Sequence, residues 1–157
     1  MSASFRVVAL DADAFAPLVA LGDDRLRSRG MRRVVAEADT GIPCRVSLVD
    51  ADAGERVLLL PFTHHDVASP YRASGPIYVR EHAVTARPAV DEIPEMLRRR
   101  TLSIRAYDAG AMLVAAEVAE GTALDERIPA LLADPCVAYL HLHNARPGCY
   151  NCRVERA

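Results

Sequence analysis

The sequence predicts an α+β fold: a mostly antiparallel β-sheet with two or three short helices packed to one side or end. Three observations predict it. Short runs rich in Val, Ile, Leu and Tyr recur along the chain, separated by Pro, Gly and Asp turns. Segments with a helical period are few and short. The chain has 157 residues, enough for one hydrophobic core and too few for two ordinary domains, so residues 1–157 read as a single globular domain.

The elements follow in order. Residues 5–10 read as a short strand. Asp11 or Asp13 can cap a helix reaching residue 20, with Pro17 tolerated near its first turn. Asp23 can cap a second short helix ending at Gly30, and residues 31–38 look extended. Residues 44–49 and 56–62 read as a hairpin across the turn-rich segment 50–55. Residues 63–75 form a long polar connection. The next strand is 76–80, where Pro76 sits at a strand start and its missing N–H costs least. Residues 86–94 are loop, and 96–100 a helical turn. Residues 101–107 and 112–118 read as a hairpin around Asp108, Ala109 and Gly110. A short helix over 125–133 stops at Pro135. Strands 137–144 and 149–155 close the chain, joined by a Pro147–Gly148 turn.

Bulk chemistry excludes several classes. The hydrophobic fraction is 51% and the charged fraction 25%, a globular balance. No stretch reaches the roughly eighteen uncharged apolar residues of a spanning helix, so no membrane role is expected. The net charge of −2 gives no pull toward nucleic acid or anionic lipid. All 19 basic residues are arginine, which removes lysine-based Schiff-base and P-loop chemistry. The arginines at 25–33 and the triplet 98–100 are flanked by acids and read as solvated faces. Met1 to Leu10 shows no export pattern, so a cytoplasmic chain with reduced thiols at Cys44, Cys136, Cys149 and Cys152 is expected.

The segment 139–152 is richest in chemistry. On a strand, Tyr139, His141 and His143 share one face and Leu140, Leu142 and Asn144 the other. The Leu face is the natural core. The Tyr/His face is amphipathic and suited to lining a pocket. His141 and His143 are about 7 Å apart, a workable pair of zinc ligands. Cys149 and Cys152 form a C-x-x-C, but on an extended strand i and i+3 point to opposite faces. A Cys2His2 set from His141, His143, Cys149 and Cys152 needs the Pro147–Gly148 turn to fold back. Cys149 alone is a candidate nucleophile, since a neighbouring Arg or His favours thiolate, and His143 is its candidate base. In the long connection, Tyr71 and Arg72 could hold a carboxylate or phosphate, with Asp66 orienting an imidazole.

Residues 70–74 (Pro-Tyr-Arg-Ala-Ser), 77–80 (Ile-Tyr-Val-Arg) and 143–150 (His-Asn-Ala-Arg-Pro-Gly-Cys-Tyr), together with 94–100 and Arg153, resemble a bacterial family described only as a domain of unknown function. The resemblance covers nearly the whole chain and brings no activity with it. It implies that Cys149 belongs to the motif while Cys152 does not. Where this chain has Gly75, the family often has His.

Three readings follow. In the first, a small anionic ligand is held by Tyr71, Arg72, Asn144 and Arg146 beside Cys149 and His143, where the 71–72 loop meets the end of strand 137–144. Whether such a site would be an enzyme stays open, and no cofactor is predicted. In the second, His141 and His143 bind zinc. In the third, the chain is a non-catalytic homodimeric interaction module.

Overall fold

The computed structural model describes residues 2–38 and 40–157. Among these residues eight strands form two sheets, and every strand pairing within them is antiparallel. In chain order the elements are β1 (Phe5–Val8), α1 (Ala16–Val19), α2 (Asp23–Ser28), β2 (Arg32–Val35), β3 (Arg56–His65), β4 (Ala73–Arg80), α3 (Glu95–Arg98), β5 (Thr101–Tyr107), β6 (Leu113–Glu120), α4 (Leu124–Leu132), β7 (Tyr139–Asn144) and β8 (Tyr150–Arg156). The large sheet runs β1-β8-β7-β5-β6 and the small one β2-β3-β4. Among the described residues no helix is long and apolar enough to cross a membrane.

Alternation builds the first core. Leu102, Ile104 and Ala106 of β5 stand beside Asn144, Leu142 and Leu140 of β7, with Val154 and Cys152 of β8 continuing the row. Met96 and Leu97 of α3 and Leu124, Ile128 and Leu132 of α4 cover this face. α3 lies close to the start of α4. A Cβ on Gly121 would come within 1.9 Å of the Leu97 carbonyl oxygen, so only glycine fits there. Leu58, Leu60, Ile77 and Val79 of the small sheet form the second core with Leu26 of α2 and with Phe15.

The strands expected at 101–107 and 112–118 pair as a hairpin. The helix expected at residues 11–20 is broken. Asp11 caps a 3-10 turn by accepting from the Asp13 amide, and a single α-turn follows with Pro17 in its first positions. Residues 44–49 are not the strand they resemble. Their backbone closes on itself, with the Leu48 amide donating to the Cys44 carbonyl and Leu48 at φ 53. Isolated bridges tie this loop to its surroundings, antiparallel from Pro43 to Asp50 and parallel from Cys44 to Tyr78. β3 therefore pairs with β2 and β4 rather than with residues 44–49. β3 also runs on to His65 and β4 starts at Ala73, which shortens the long connection to residues 66–72.

Candidate functional site

β7 divides its polar residues between two places. Tyr139, His141 and His143 face away from the apolar core, next to Tyr107 of β5 and Tyr150 of β8. The end of β3 lays His64 and His65 over them. His64 stacks on Tyr150 at 5.2 Å and meets His143 edge-on at 5.1 Å, and His65 packs against Tyr107 at 4.3 Å. The face expected to line a pocket is thus a buried imidazole–phenol layer, with His65, His141 and His143 at most 2% exposed.

Burial and neighbouring positive charge hold the His64, His141 and His143 imidazoles neutral. Desolvation, with His65 and His143 adjacent, pushes His141 down to about 2. Desolvation likewise takes His143 and His64 down to about 4. Burial pushes the Tyr107, Tyr139 and Tyr150 hydroxyls up. The Tyr139 hydroxyl and His65 Nε2 share a hydrogen bond of 2.6 Å, while His65 Nδ1 donates to the Tyr71 carbonyl. Among the described residues His64 Nδ1, His141 Nδ1 and His143 Nε2 find no partner. Among the described residues no three His, Cys, Asp or Glu side chains stand where one metal ion could be held.

The C-x-x-C behaves differently from a plain extended strand. A bulge at the start of β8 places Tyr150 across from His143 and Cys152 across from Leu142, and the Asn144 amide donates to the Cys149 carbonyl. Both cysteines therefore lie on the Leu142 side, opposite His141 and His143, and the Cys2His2 set is split across the sheet. Cys152 is fully buried, and burial raises its thiol to about 12. All four cysteines are free.

The second place is the far end of β7. The turn after Asn144 is closed by the Gly148 amide donating to the Asn144 carbonyl, with Gly148 at φ +79, and by His143 Nδ1 donating to the Gly148 carbonyl at 3.0 Å. The turn presents Cys149. Its sulfur accepts from Arg45 Nη2 at 3.1 Å and from Asn144 Nδ2 at 3.3 Å, and Asn144 Oδ1 in turn accepts from Asn151 Nδ2 at 2.9 Å. Among the described residues no hydrogen bond joins Cys149 to His143, whose side chain leaves the opposite face of β7. The expected thiol–imidazole pair is replaced by a thiol–guanidinium pair.

Arg45 is 1% exposed. Its Nε donates to the Tyr150 carbonyl at 2.8 Å and its Nη1 to the Pro43 carbonyl at 2.5 Å. The closed loop at 44–49 aims it: the Arg45 amide donates to the Tyr78 carbonyl, and its carbonyl accepts from the Leu10 amide. Among the described residues none of its partners is a carboxylate, so a buried cation faces only carbonyls and a thiol. Burial pushes this guanidinium down, and charge at Cys149 opposes that shift.

Arg45 and Cys149 open onto a cavity of about 540 Å³, which Asn144, Arg146, Arg99, Arg100, Thr101 and Tyr78 also line. Among the described residues its wall holds four arginines and no Asp or Glu. Arg100 is anchored by Asp50 at 2.8 Å and by the Met96 carbonyl, and Arg99 by Glu95 at 3.4 Å. Arg146 stands exposed at the rim without a carboxylate partner among the described residues.

Of the residues expected from sequence, the structure brings Asn144, Arg146 and Cys149 together. Tyr71 and Arg72 lie elsewhere. Tyr71 packs on Tyr107, which pairs with Tyr139 at the opposite end of β7, roughly 17 Å along the strand from Asn144. Arg72 is tied to Asp66 on the surface. Arg45 and Thr101 are not singled out by the sequence, and Arg99 and Arg100, expected on a solvated face, line the cavity instead. The one local signal was an Arg in the apolar run Cys44-Arg45-Val46.

Comparison with curated proteins and with solved structures finds no match. A family model described as Protein of unknown function (DUF1203) does match, over residues 41–156, a span that contains every residue named in this cavity. The chain belongs to that family.

Proposed function

We propose that this protein binds a small anionic ligand, of the carboxylate or phosphate class, in the cavity beside Cys149. One observation carries the reading: Arg45 is a buried guanidinium with no carboxylate partner among the described residues, and it opens onto a wall of arginines. Burying an unpaired charge is expensive, and nearby negative charge offsets that cost. A guanidinium fork suits the planar oxygens of a carboxylate or phosphate. Asn144, Thr101 and Tyr78 add neutral polar groups that can orient the ligand. Arg146 at the rim can reach an anion without first breaking an ion pair.

Thermal melting with inorganic phosphate, citrate and a neutral sugar at matched ionic strength tests this. At a ligand concentration of 100 times Kd, binding adds about 2.7 kcal/mol of stability. The reading expects at least one anion to raise the midpoint in the native chain and much less in Arg146→Ala/Arg99→Ala. Indistinguishable midpoints for anions and sugar would count against it.

A further inference from the structure

Four thiols differ sharply in their surroundings. Cys44 is fully buried, and its sulfur accepts from the backbone amides of Ser47 and Arg80. Cys152 is buried in the apolar core. Cys136 is exposed and lies outside the arginine-lined cavity. Cys149 alone combines access to that cavity with two side-chain donors on its sulfur, from Arg45 and Asn144. Such donors complement negative charge on sulfur, the form that attacks a disulfide.

We propose that Cys149 undergoes thiol–disulfide exchange with small anionic disulfides, which the surrounding arginines select. The proposal rests on the anion-binding reading of the same cavity. The thiolate of Cys149 attacks one sulfur of RS–SR. A new bond forms between Cys149 Sγ and that sulfur, the old S–S bond breaks, and its electron pair leaves with the second sulfur as RS⁻. The incoming disulfide is the oxidant, so no other co-reactant is needed. The anionic R group is held by Arg146, Arg99 and Arg100, and the leaving thiolate departs through a cationic mouth. The adduct persists. Cys152, the nearest cysteine in sequence, is fully buried, and burial holds it as the thiol rather than the attacking thiolate.

The test compares three disulfides of similar size: dithiodiglycolate (anionic), hydroxyethyl disulfide (neutral) and cystamine (cationic). Adducts are located by peptide mass mapping, with Cys136 as the internal control. The proposal expects one dithiodiglycolate-derived adduct per chain at Cys149. It should form at least about tenfold faster than the neutral adduct, and the preference should shrink in high salt and in Arg146→Ala/Arg99→Ala. Cys136 should show no such preference. Equal rates for the anionic and neutral reagents at Cys149, no adduct there, or rapid conversion to a Cys149–Cys152 disulfide would each overturn it. Phosphate-dependent melting of Cys149→Ser separates the two claims. If that variant keeps its phosphate shift while native Cys149 ignores dithiodiglycolate, the anion site stands and the exchange chemistry falls. If both responses are missing, both fall.

Discussion

The Arg45 guanidinium and the Cys149 sulfur meet at 3.1 Å although 104 residues separate them in the chain. The closed loop at 44–49 delivers one, the Pro147–Gly148 turn delivers the other, and the contact links a loop beside the small sheet to the end of the large one. The cavity beside this pair is where the proposed anionic ligand binds.

Alkylation should report the local charge. Cys149 is less exposed than Cys136, yet the account expects anionic iodoacetate to be favoured over neutral iodoacetamide at Cys149 by about tenfold relative to Cys136. Raising the salt concentration should erase most of that difference. Quantitative mass spectrometry of both peptides checks it, and an equal ratio at the two thiols would contradict it.

Asn144→Ala should lower stability and slow Cys149 labelling together. The substitution removes a donor to the sulfur and leaves the buried Asn151 amide without its acceptor. Stranding a buried polar group costs about 1–3 kcal/mol, readable by urea denaturation.

Gly121→Ala should destabilise by about 1–3 kcal/mol through overpacking. The added methyl has no room against the Leu97 carbonyl and the Arg98 backbone. Those residues carry α3 into Arg99 and Arg100, and the Gly121 amide donates to the Arg100 carbonyl at 2.7 Å. The variant should therefore also lose part of the anion-induced rise in melting temperature. A change in stability alone, with the anion response intact, would detach this corner from the site.

The imidazole layer predicts acid sensitivity. His143 and His64 titrate near 4, and His141 near 2, in the folded chain, below the usual value of 6.5. Between about pH 6.5 and 4 the unfolded chain therefore binds more protons than the folded one, so stability is present above 6.5 and is lost as pH falls. Each fully buried imidazole contributes a slope of at most about 1.4 kcal/mol per pH unit. Urea midpoints should drop steeply across this window, and His143→Gln should reduce the slope. A flat profile from pH 7 to 4.5 would contradict the buried neutral layer.

Local patterning carried much of the architecture. The β5–β6 hairpin follows from two alternating runs around Asp-Ala-Gly, and Leu140 and Leu142 are core because alternation leaves them no other face. The same alternation separated the Tyr/His face, but what covers that face is non-local: His64 and His65 arrive from β3 in the other sheet. Residues 44–49 misled because an apolar run is read as a ladder partner, whereas its hydrogen bonds close within a loop. Arg45 was hidden for that reason. In the site, Asn144, Arg146 and Cys149 were legible from one contiguous motif. Arg99 and Arg100 read as part of a solvated triplet, and only α3 packing turns them toward the turn. His143 was misassigned as the thiol's base because proximity in sequence does not put neighbours on one face of a strand.

The most direct measurement is a crystal structure of the native chain soaked with tungstate, a heavy oxyanion of phosphate shape, read from its anomalous difference map. The account predicts a peak in the cavity among Arg45, Arg100 and Arg146, within reach of Asn144 and beside the Cys149 sulfur. A peak on surface arginines such as Arg72, with the cavity beside Cys149 left empty, would contradict it.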